Sequence, residues 1–254
     1  MRVGDGVVLA LDTATPDLSA AVVGPNLRES VRVPVGNRMA AAIAPEVDGL
    51  LQDSGLARGD LAAIAVGAGP GPYTSLRVGL MFARAVGWAL GIPVLGACSL
   101  DVVARAVSLA GAGAFGVALD ARRREVYWAG YDAEGRRRVG PLVARPADIG
   151  SAATRWFGPG LVDSSAGAGM VERRGPDALV LADWVRSDGE RAIEVTEGGG
   201  PQIAAAEAEM AGRDSVWAAP DGDGSGAKSI PQSLLPPRPL YLRRPDAKVP
   251  SWLS

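Results

Sequence analysis

The chain opens with three short apolar runs that are separated by turn residues. They cover residues 7–11, 18–23 and 27–33, and Gly24-Pro25-Asn26 lies between the second and the third. Apolar runs of this length, bounded by glycine, proline and asparagine, are typical of strands joined by tight turns. The pattern therefore predicts a three-stranded meander that begins a sheet.

From residue 40 onward, the apolar positions follow a helical spacing. Ile43, Val47 and Leu50 recur every three or four residues, and Gly55 follows as a helix stop. Helical and extended segments then alternate: helix 40–53, strand 61–66, helix 76–90, strand 92–97, and a helix from 99 to 106 for which Ser99 is the predicted cap. This order predicts a mixed sheet with helices packed against it.

The same pattern restarts in the middle of the chain. Residues 115–119 form an apolar run that ends at Asp120, just as residues 7–11 end at Asp12, and a predicted hairpin of 125–131 and 136–142 follows. The repeat predicts an α/β protein with two duplicated lobes, an N-terminal lobe of residues 1–108 and a second lobe of residues 109–254.

The later part of the second lobe has a weaker pattern. Residues 160–200 are interpreted as short strand-like pieces and loops, and residues 203–210 as a helix. A Gly/Pro/Ser-rich stretch at about 219–239 predicts a flexible linker to a C-terminal segment that begins at Pro239.

Composition excludes several classes of chemistry. The 254 residues contain no histidine and one cysteine, and the net charge is −2. Ser-His-Asp and Cys-His catalysis are therefore excluded, as is a histidine-ligated metal. Cys98 lies in an apolar run and is predicted to be buried. No apolar run reaches the roughly 18 residues of a membrane helix, and residues 1–6 lack a signal-peptide pattern, which together predict a cytoplasmic protein without membrane attachment.

A glycine-proline loop at residues 69–79 is the most informative local feature. It connects a predicted strand to the start of a predicted helix, where backbone N–H groups and the helix dipole favour an anion. Asp12 and Thr13, with Gly69, Gly71 and Thr74, are the candidates for a degenerate nucleotide site, in which the carboxylate and hydroxyl would bind Mg²⁺. The alternative is that both regions are tight structural turns in which Thr74 or Ser75 caps the helix.

The two predicted helices at 40–53 and 76–90 carry a second candidate site. Arg77 in the first turn opposes the helix dipole, which predicts a carboxylate or external partner for it. Small residues recur at Gly79, Ala83 and Gly87. The stripe packs either on the chain's own sheet or on another subunit, and the candidate partner interface is Ile43, Val47, Leu50, Gly79, Phe82, Ala83 and Val86.

Two basic triplets, Arg122–Arg124 and Arg136–Arg138, offer a further site. They either contact phosphates of an RNA or form a solvated, charge-balanced surface. The net acidic composition favours the second interpretation.

Five pieces of the sequence, in this order, resemble the TsaB (YeaZ-type) family. They are Leu11-Asp-Thr-Ala-Thr15, the loop at 69–79, Gly91-Ile-Pro-Val94, Asp120-Ala-Arg with Glu125-Val-Tyr127, and Pro239-Leu-Tyr-Leu-Arg243. The resemblance covers roughly residues 5–130 and the terminal segment. It departs from the family at Tyr73-Thr74-Ser75, where Phe-Thr-Gly is usual, and at Met39-Ala-Ala41, where His-x-Glu is frequent.

The resemblance implies a two-lobed actin-like ATPase fold, which is a duplicated ribonuclease H-like fold. It also implies a non-catalytic subunit for threonylcarbamoyl transfer to adenosine 37 of tRNA. Such a subunit pairs with a catalytic TsaD-type paralogue that carries the metal, is joined by a TsaE-type ATPase, and reaches tRNA through the complex. A homodimer is a further expectation. No cofactor is expected beyond a weak or vestigial Mg-ATP site.

Two rival functions follow from the residues themselves. One is an ATP-dependent small-molecule kinase of the same fold, which would use Asp12 and Thr13 with Mg-ATP. The other is an RNA-binding module that acts through the arginine triplets.

Overall fold

Two five-stranded sheets form the framework of the protein. A computed structural model describes residues 3–111, 113–149, 155–160, 171–172, 174–197 and 238–242. The first sheet has the strand order β3-β2-β1-β4-β5, and its strands are β1 (Val7–Asp12), β2 (Asp17–Gly24), β3 (Leu27–Pro34), β4 (Leu61–Gly67) and β5 (Val94–Ala97). The first three strands are an antiparallel meander, and β4 and β5 run parallel to β1.

The second sheet repeats this topology. Its order is β8-β7-β6-β9-β10, and its strands are β6 (Phe115–Asp120), β7 (Val126–Tyr131), β8 (Arg137–Ala144), β9 (Trp156–Phe157) and β10 (Val171–Glu172). The strands β6 to β8 are antiparallel, and β9 and β10 are parallel to β6 and to each other. The duplicated α/β architecture predicted from the sequence is confirmed.

Both faces of the first sheet are covered by helices. Leu9, Leu11 and Ile64 face a core that they share with α1 (Met39–Asp53) and α2 (Tyr73–Leu90). The alternate positions of the strands, such as Val8 and Ala10, face α4 (Ala178–Glu197) on the other side. Side chains of a strand alternate between faces, so two covered faces explain why β1 has no polar position before Asp12.

A fourth helix, α3 (Ser99–Ser108), follows the first sheet in the chain but packs on the second. Leu100, Val103 and Val107 share a core with β6 and β7. The reverse holds for α4, which follows β10 and packs on β1 and β2. Each of the two helices therefore follows one sheet in the chain and packs on the other.

The interpretation of residues 160–200 as strand-like pieces and loops is wrong where α4 occupies them. Ala178, Leu181, Ala182 and Val185 are buried at helical spacing, so the signal was present in the sequence. The predicted helix at 203–210 and the predicted linker at about 219–239, except for its last two residues, lie outside the described residues. The predicted lobe boundary at residue 108 falls between α3 and β6. It stays a prediction, because α4 lies beyond this boundary in the chain but packs on the first sheet. No helix in the described part combines the length and hydropathy of a membrane span.

Candidate functional site

Asp12 ends β1 and is almost completely buried, with 2% of its surface exposed. Its Oδ2 accepts a hydrogen bond from Ser99 Oγ at 2.7 Å, and its Oδ1 accepts one from the Ala14 N–H at 2.8 Å. Burial raises the pKa of the Asp12 carboxyl, and these hydrogen bonds offset part of the increase. A Cβ at Gly67 would overlap the Asp12 carboxylate, so only glycine fits beside it. The carboxylate thus has internal partners in α3 and in the turn that follows β1.

Thr13 is also committed to the interior. Its hydroxyl donates to the Ser75 carbonyl at 2.9 Å and joins the end of β1 to the first turn of α2. A Cβ at Gly79 would overlap the Thr13 side chain. The hydroxyl and the glycine therefore let α2 approach β1 closely, and Thr13 of the predicted metal-binding pair is part of that contact.

The glycine-proline loop packs against the end of β1. Gly69 has a φ of 89°, and its carbonyl accepts the Ser99 N–H at 2.7 Å. A Cβ at Gly71 would overlap Ala14. The helix α2 begins at Tyr73 without a side-chain cap, because Ser75 Oγ donates to the Pro72 carbonyl. The predicted capping by Thr74 or Ser75 is therefore wrong, as is capping by Ser99, whose hydroxyl serves Asp12.

The gap between the sheets is small. A cavity of about 120 Å³ lies there, and its lining is Ala14, Thr15, Pro16, Pro72, Asp120, Arg122 and Pro159. Ligand pockets usually measure about 300–1,000 Å³. None of the five candidate nucleotide residues lines the cavity. The described residues also contain no group of three acidic or thiol side chains that could hold a metal. The Asp12 carboxylate and the Thr13 hydroxyl therefore have partners inside the protein and do not line this cavity.

Arg77 has a partner that the sequence did not indicate. Its Nε donates to the Tyr241 hydroxyl at 2.8 Å, and its guanidinium lies 4.1 Å from the Tyr73 ring centroid. The two tyrosine rings stack at 4.9 Å, and the Leu240 N–H donates to the Ala68 carbonyl. The C-terminal segment 238–242 therefore docks on the start of α2. The predicted carboxylate or external partner of Arg77 is an internal tyrosine instead.

The seven candidate interface residues pack in this chain's own core. Ile43, Val47, Leu50, Gly79 and Ala83 are buried, and Phe82 and Val86 are half-buried. The small-residue stripe faces the sheet, because Gly79 lies on Thr13 and Gly87 on Val94. The buried members therefore hold α1 and α2 to the sheet, and only Phe82 and Val86 are partly exposed.

The outer face of α2 presents a different set of residues. Trp88 is 89% exposed and Met81 is 61% exposed, and the two lie seven positions apart on one side of the helix. The sequence did not single them out, because the stripes followed there were the small residues Gly79, Ala83 and Gly87 and the neighbouring Phe82 and Val86, and Met81 and Trp88 belong to neither.

The two arginine triplets have different surroundings. Arg136 and Arg138 pair with Asp132, and Arg137 is buried beside Asp101. Residues 122–124 are exposed in the β6–β7 turn. Cys98 is buried as predicted, and burial raises the pKa of its thiol, so it is unreactive.

Comparison with known proteins shows which proteins this chain is similar to. The family model for TsaD, a tRNA N6-adenosine threonylcarbamoyltransferase, matches residues 35–160. The chain is similar to the Mycobacterium tuberculosis protein Rv3421c, with 37% identity over 97% of this chain and 96% of that one. It is 34% identical to the tRNA threonylcarbamoyladenosine biosynthesis protein TsaB of Escherichia coli over 49% of this chain and 54% of that one.

A solved structure resembles it over a longer range. YeaZ from Pseudomonas aeruginosa superposes with a TM-score of 0.61 at 27% identity and covers 73% of this chain and 94% of that one. A second Pseudomonas aeruginosa structure, described as similar to the peptidase YEAZ, gives a TM-score of 0.64. Together with the repeated sheet topology, these similarities confirm the predicted duplicated, actin-like fold.

Proposed function

Since the chain belongs to the TsaB/YeaZ family of tRNA threonylcarbamoyladenosine biosynthesis proteins, we propose that it is a non-catalytic subunit that supports a TsaD-type paralogue. It would pair with that paralogue, favour its active conformation, and act on tRNA only through the complex. A TsaE-type ATPase would join the pair, and a homodimer would form in the absence of the paralogue. The cytoplasm, which contains tRNA, is the proposed compartment.

The commitment of Asp12 and Thr13 to internal hydrogen bonds supports the non-catalytic role. Both groups stand where an actin-like kinase would hold phosphate and magnesium, but each already serves a contact between β1 and a helix. The cavity of about 120 Å³ between the sheets is well below the size of a nucleotide site. The same observations count against the small-molecule kinase as an alternative.

The exposed tryptophan on α2 carries the proposal of a partner surface. Trp88 and Met81 place a large apolar area in water on one face of the helix. Buried aromatic side chains contribute most of the binding energy at many protein interfaces, and tryptophan is enriched among them. The TsaD family model covers both α1 and α2 of this chain, so the paralogue is expected to present helices of the same kind. Two related helical faces can pack against each other about a pseudo-twofold axis.

The association is tested with purified wild-type chain and the TsaD-type protein of the same organism. Size-exclusion chromatography with light scattering should give a one-to-one complex. The double variant Trp88→Ala/Met81→Ala should weaken association at least tenfold, while its unfolding temperature stays close to that of the wild type because both side chains are exposed.

Leu109→Ala is the matched control. Leu109 is 80% exposed but follows α3, so its truncation should leave the complex unchanged. Equal association of the double variant and the wild type would refute the α2 surface.

The non-catalytic role has its own test. The chain alone, given threonylcarbamoyl-adenylate and unmodified tRNA, should produce no modified tRNA, and addition of the paralogue should restore the reaction. Calorimetry with Mg-ATP should show no binding. Modification by the chain alone would overturn the proposal, and micromolar Mg-ATP binding would favour the kinase.

A further inference from the structure

The exposed large apolar side chains of the protein are concentrated at α2. In the described part of the chain six such side chains are at least 36% exposed, and four of them lie on α2 or stack against it. These four are Tyr73, Met81, Trp88 and Tyr241. Single exposed apolar residues are normal on a protein surface, but a cluster of them indicates a contact with another molecule. The exposed apolar area therefore extends beyond Met81 and Trp88.

A single row of exposed residues runs along α2, and we call it the α2 ridge. Its members follow one another at intervals of three or four positions, which places them on the same side of the helix. They are Tyr73, Arg77, Met81, Arg84 and Trp88. With a rise of 1.5 Å per residue, the ridge is about 22 Å long. It thus spans nearly the whole of α2.

The C-terminal segment extends the ridge at the start of α2. The Leu240 N–H donates to the Ala68 carbonyl at 2.8 Å, and the side chains of Leu240 and Leu242 are half-buried against the core that α3 shares with the second sheet. Tyr241 lies between the two leucines, is 38% exposed, and stacks its ring on Tyr73. The leucines therefore anchor the segment, while the tyrosine adds an aromatic ring to the outer surface.

The area of the surface indicates that both ends of the ridge are needed. A specific protein interface buries about 800 Å² on each partner, and a large aromatic side chain contributes about 150–250 Å². Two side chains of that size supply at most about 500 Å², so Trp88 and Met81 alone are too small a surface. Tyr73 and Tyr241 supply further aromatic area on the same side of the helix.

The charge of α2 indicates the chemistry of the partner. The helix contains two arginines and no acidic residue. Arg77 is held by the two tyrosines, whereas no carboxylate among the described residues forms an ion pair with Arg84. Surfaces that bind each other have complementary charges, so a carboxylate is expected opposite Arg84. Because large apolar side chains flank the arginines, the ridge fits a protein helix better than RNA, which favours a predominantly basic surface.

We propose that the docked C-terminal segment completes the surface that binds the paralogue, and that the ridge receives an amphipathic helix with a carboxylate opposite Arg84. The inference rests on the proposed function, which supplies the paralogue as the partner. It adds Tyr241 and Arg84 to the surface of Met81 and Trp88, and it makes the surface incomplete without the C-terminal segment.

The role of the segment is tested by the affinity of full-length variants for the TsaD-type protein of the same organism, measured by calorimetry. Tyr241→Ala should weaken association at least fivefold, because an aromatic ring is removed from the surface. Tyr241→Phe keeps the ring and should stay within about twofold of the wild type. Val139→Ala is the control for exposure, since Val139 is 37% exposed but lies on β8, and it should also stay within about twofold.

The acidic partner is tested by the charge at residue 84. Arg84→Gln should weaken association about fivefold at low salt and make its salt dependence shallower, because one ion pair is lost. Arg84→Glu should weaken it further, because two carboxylates would then face each other. Arg136→Gln removes the same formal charge from the second sheet, where Arg136 pairs with Asp132, and should leave the affinity within about twofold of the wild type.

Each part of the inference can be overturned separately. Wild-type affinity in Tyr241→Ala, or equal losses in Tyr241→Ala and Tyr241→Phe, would overturn the role of the segment. Wild-type affinity in Arg84→Gln, or equal losses in Arg84→Gln and Arg136→Gln, would overturn the acidic partner. Normal association together with a reduced affinity of the complex for tRNA would make the ridge an RNA contact and overturn both parts.

The outcome for the wild-type chain distinguishes this inference from the proposed function. If the wild-type chain does not bind the paralogue, the proposed function and the inference are refuted together. If it binds and the variants at residues 241 and 84 bind equally well, only the inference is refuted.

Discussion

The two halves of the protein have the same sheet topology but attach their final helix differently. The helix α3 is joined to the second sheet by a buried ion pair, in which Arg137 Nη2 lies 3.4 Å from Asp101 Oδ2. The helix α4 is joined to the first sheet by apolar side chains and by an exposed pair, in which Arg28 lies 2.6 Å from Asp183. The shorter contact is the solvent-exposed one, so distance alone does not show which ion pair contributes more to stability. Burial determines the cost of losing a pair, because removal of one buried charge leaves the other uncompensated.

The two strand-end aspartates differ in the same way. Asp12 at the end of β1 is buried and accepts hydrogen bonds from Ser99 and Ala14. Asp120 at the end of β6 is partly exposed and accepts a hydrogen bond from the Arg122 N–H in the β6–β7 turn. A duplicated scaffold therefore keeps its strand order, while the residues around equivalent positions determine whether a carboxylate serves the core or the surface.

The largest expected effect is the loss of the buried ion pair. Arg137→Met should lower the free energy of unfolding by about 4 kcal/mol, because it leaves the Asp101 carboxylate buried with the Tyr131 hydroxyl as a remaining donor. Chemical denaturation measures the change. A loss below about 1 kcal/mol would show that the pair is not what distinguishes the attachment of α3.

Leu181→Ala tests the attachment of α4. Leu181 is fully buried against the first sheet, so its truncation should cost about 3 kcal/mol through lost burial and a residual cavity. Arg186 stays hydrogen-bonded to the Gly4 and Gly24 carbonyls and should keep the helix in place. If the variant were cleaved within residues 174–188 while its free energy of unfolding stayed unchanged, α4 would not unfold together with the first sheet, and the expectation would be contradicted.

Asp12→Ala and Asp120→Ala compare the strand-end aspartates. The first variant should lose about 2 kcal/mol, because the Ser99 hydroxyl and the Ala14 N–H become unpaired in the interior. The second should lose less than about 1 kcal/mol, because its partners are exposed. Equal losses in thermal or chemical unfolding would refute the difference in burial.

Asp12→Asn should change how stability depends on pH. Burial raises the folded-state pKa of Asp12 above the ordinary value of 3.8, so the folded protein binds this proton more tightly than the unfolded chain. The stability that it contributes is present below pH 3.8 and is lost as pH rises through the raised folded pKa. The unfolding temperature of the variant relative to the wild type should therefore increase as the pH rises from 3.8 through the raised folded-state pKa of Asp12. A difference that is constant with pH would show that Asp12 titrates alike in both states.

The smallest expected effect is that of Arg28→Met. The pair with Asp183 is about half exposed, so its loss should cost less than about 1 kcal/mol despite the 2.6 Å contact. The variant carries the same substitution as Arg137→Met and serves as its matched control. A cost comparable with that of Arg137→Met would show that burial does not determine how much each of the two ion pairs contributes to stability.

Much of the fold followed from local patterns. The meander, the alternating helices and strands, and the restart at Phe115 were predicted, because apolar runs bounded by turn residues indicate strands and a helical spacing of apolar positions indicates a helix with one buried face. The helix α4 was missed, because the region was interpreted as strand-like pieces and loops without regard to the helical spacing of its apolar residues. These residues are Ala178, Leu181, Ala182 and Val185. The candidate site was predicted less well. Asp12 and Thr13 were placed correctly at a strand end, but Ser99 and Ser75, to which their side chains are hydrogen-bonded, lie 87 and 62 residues away.

The sequence by itself determined the elements, the duplication, and the absence of histidine chemistry, because these depend on composition and on short-range spacing. The tertiary structure alone decided which carboxylate is buried, which face of α2 meets the sheet, and that Tyr241 returns to Arg77. These properties depend on distances between residues remote in the chain, and the free energy of a polar group depends on what surrounds it after folding. Chemistry-bearing residues can thus be recognised in a sequence, while their availability for chemistry is a property of the packed molecule.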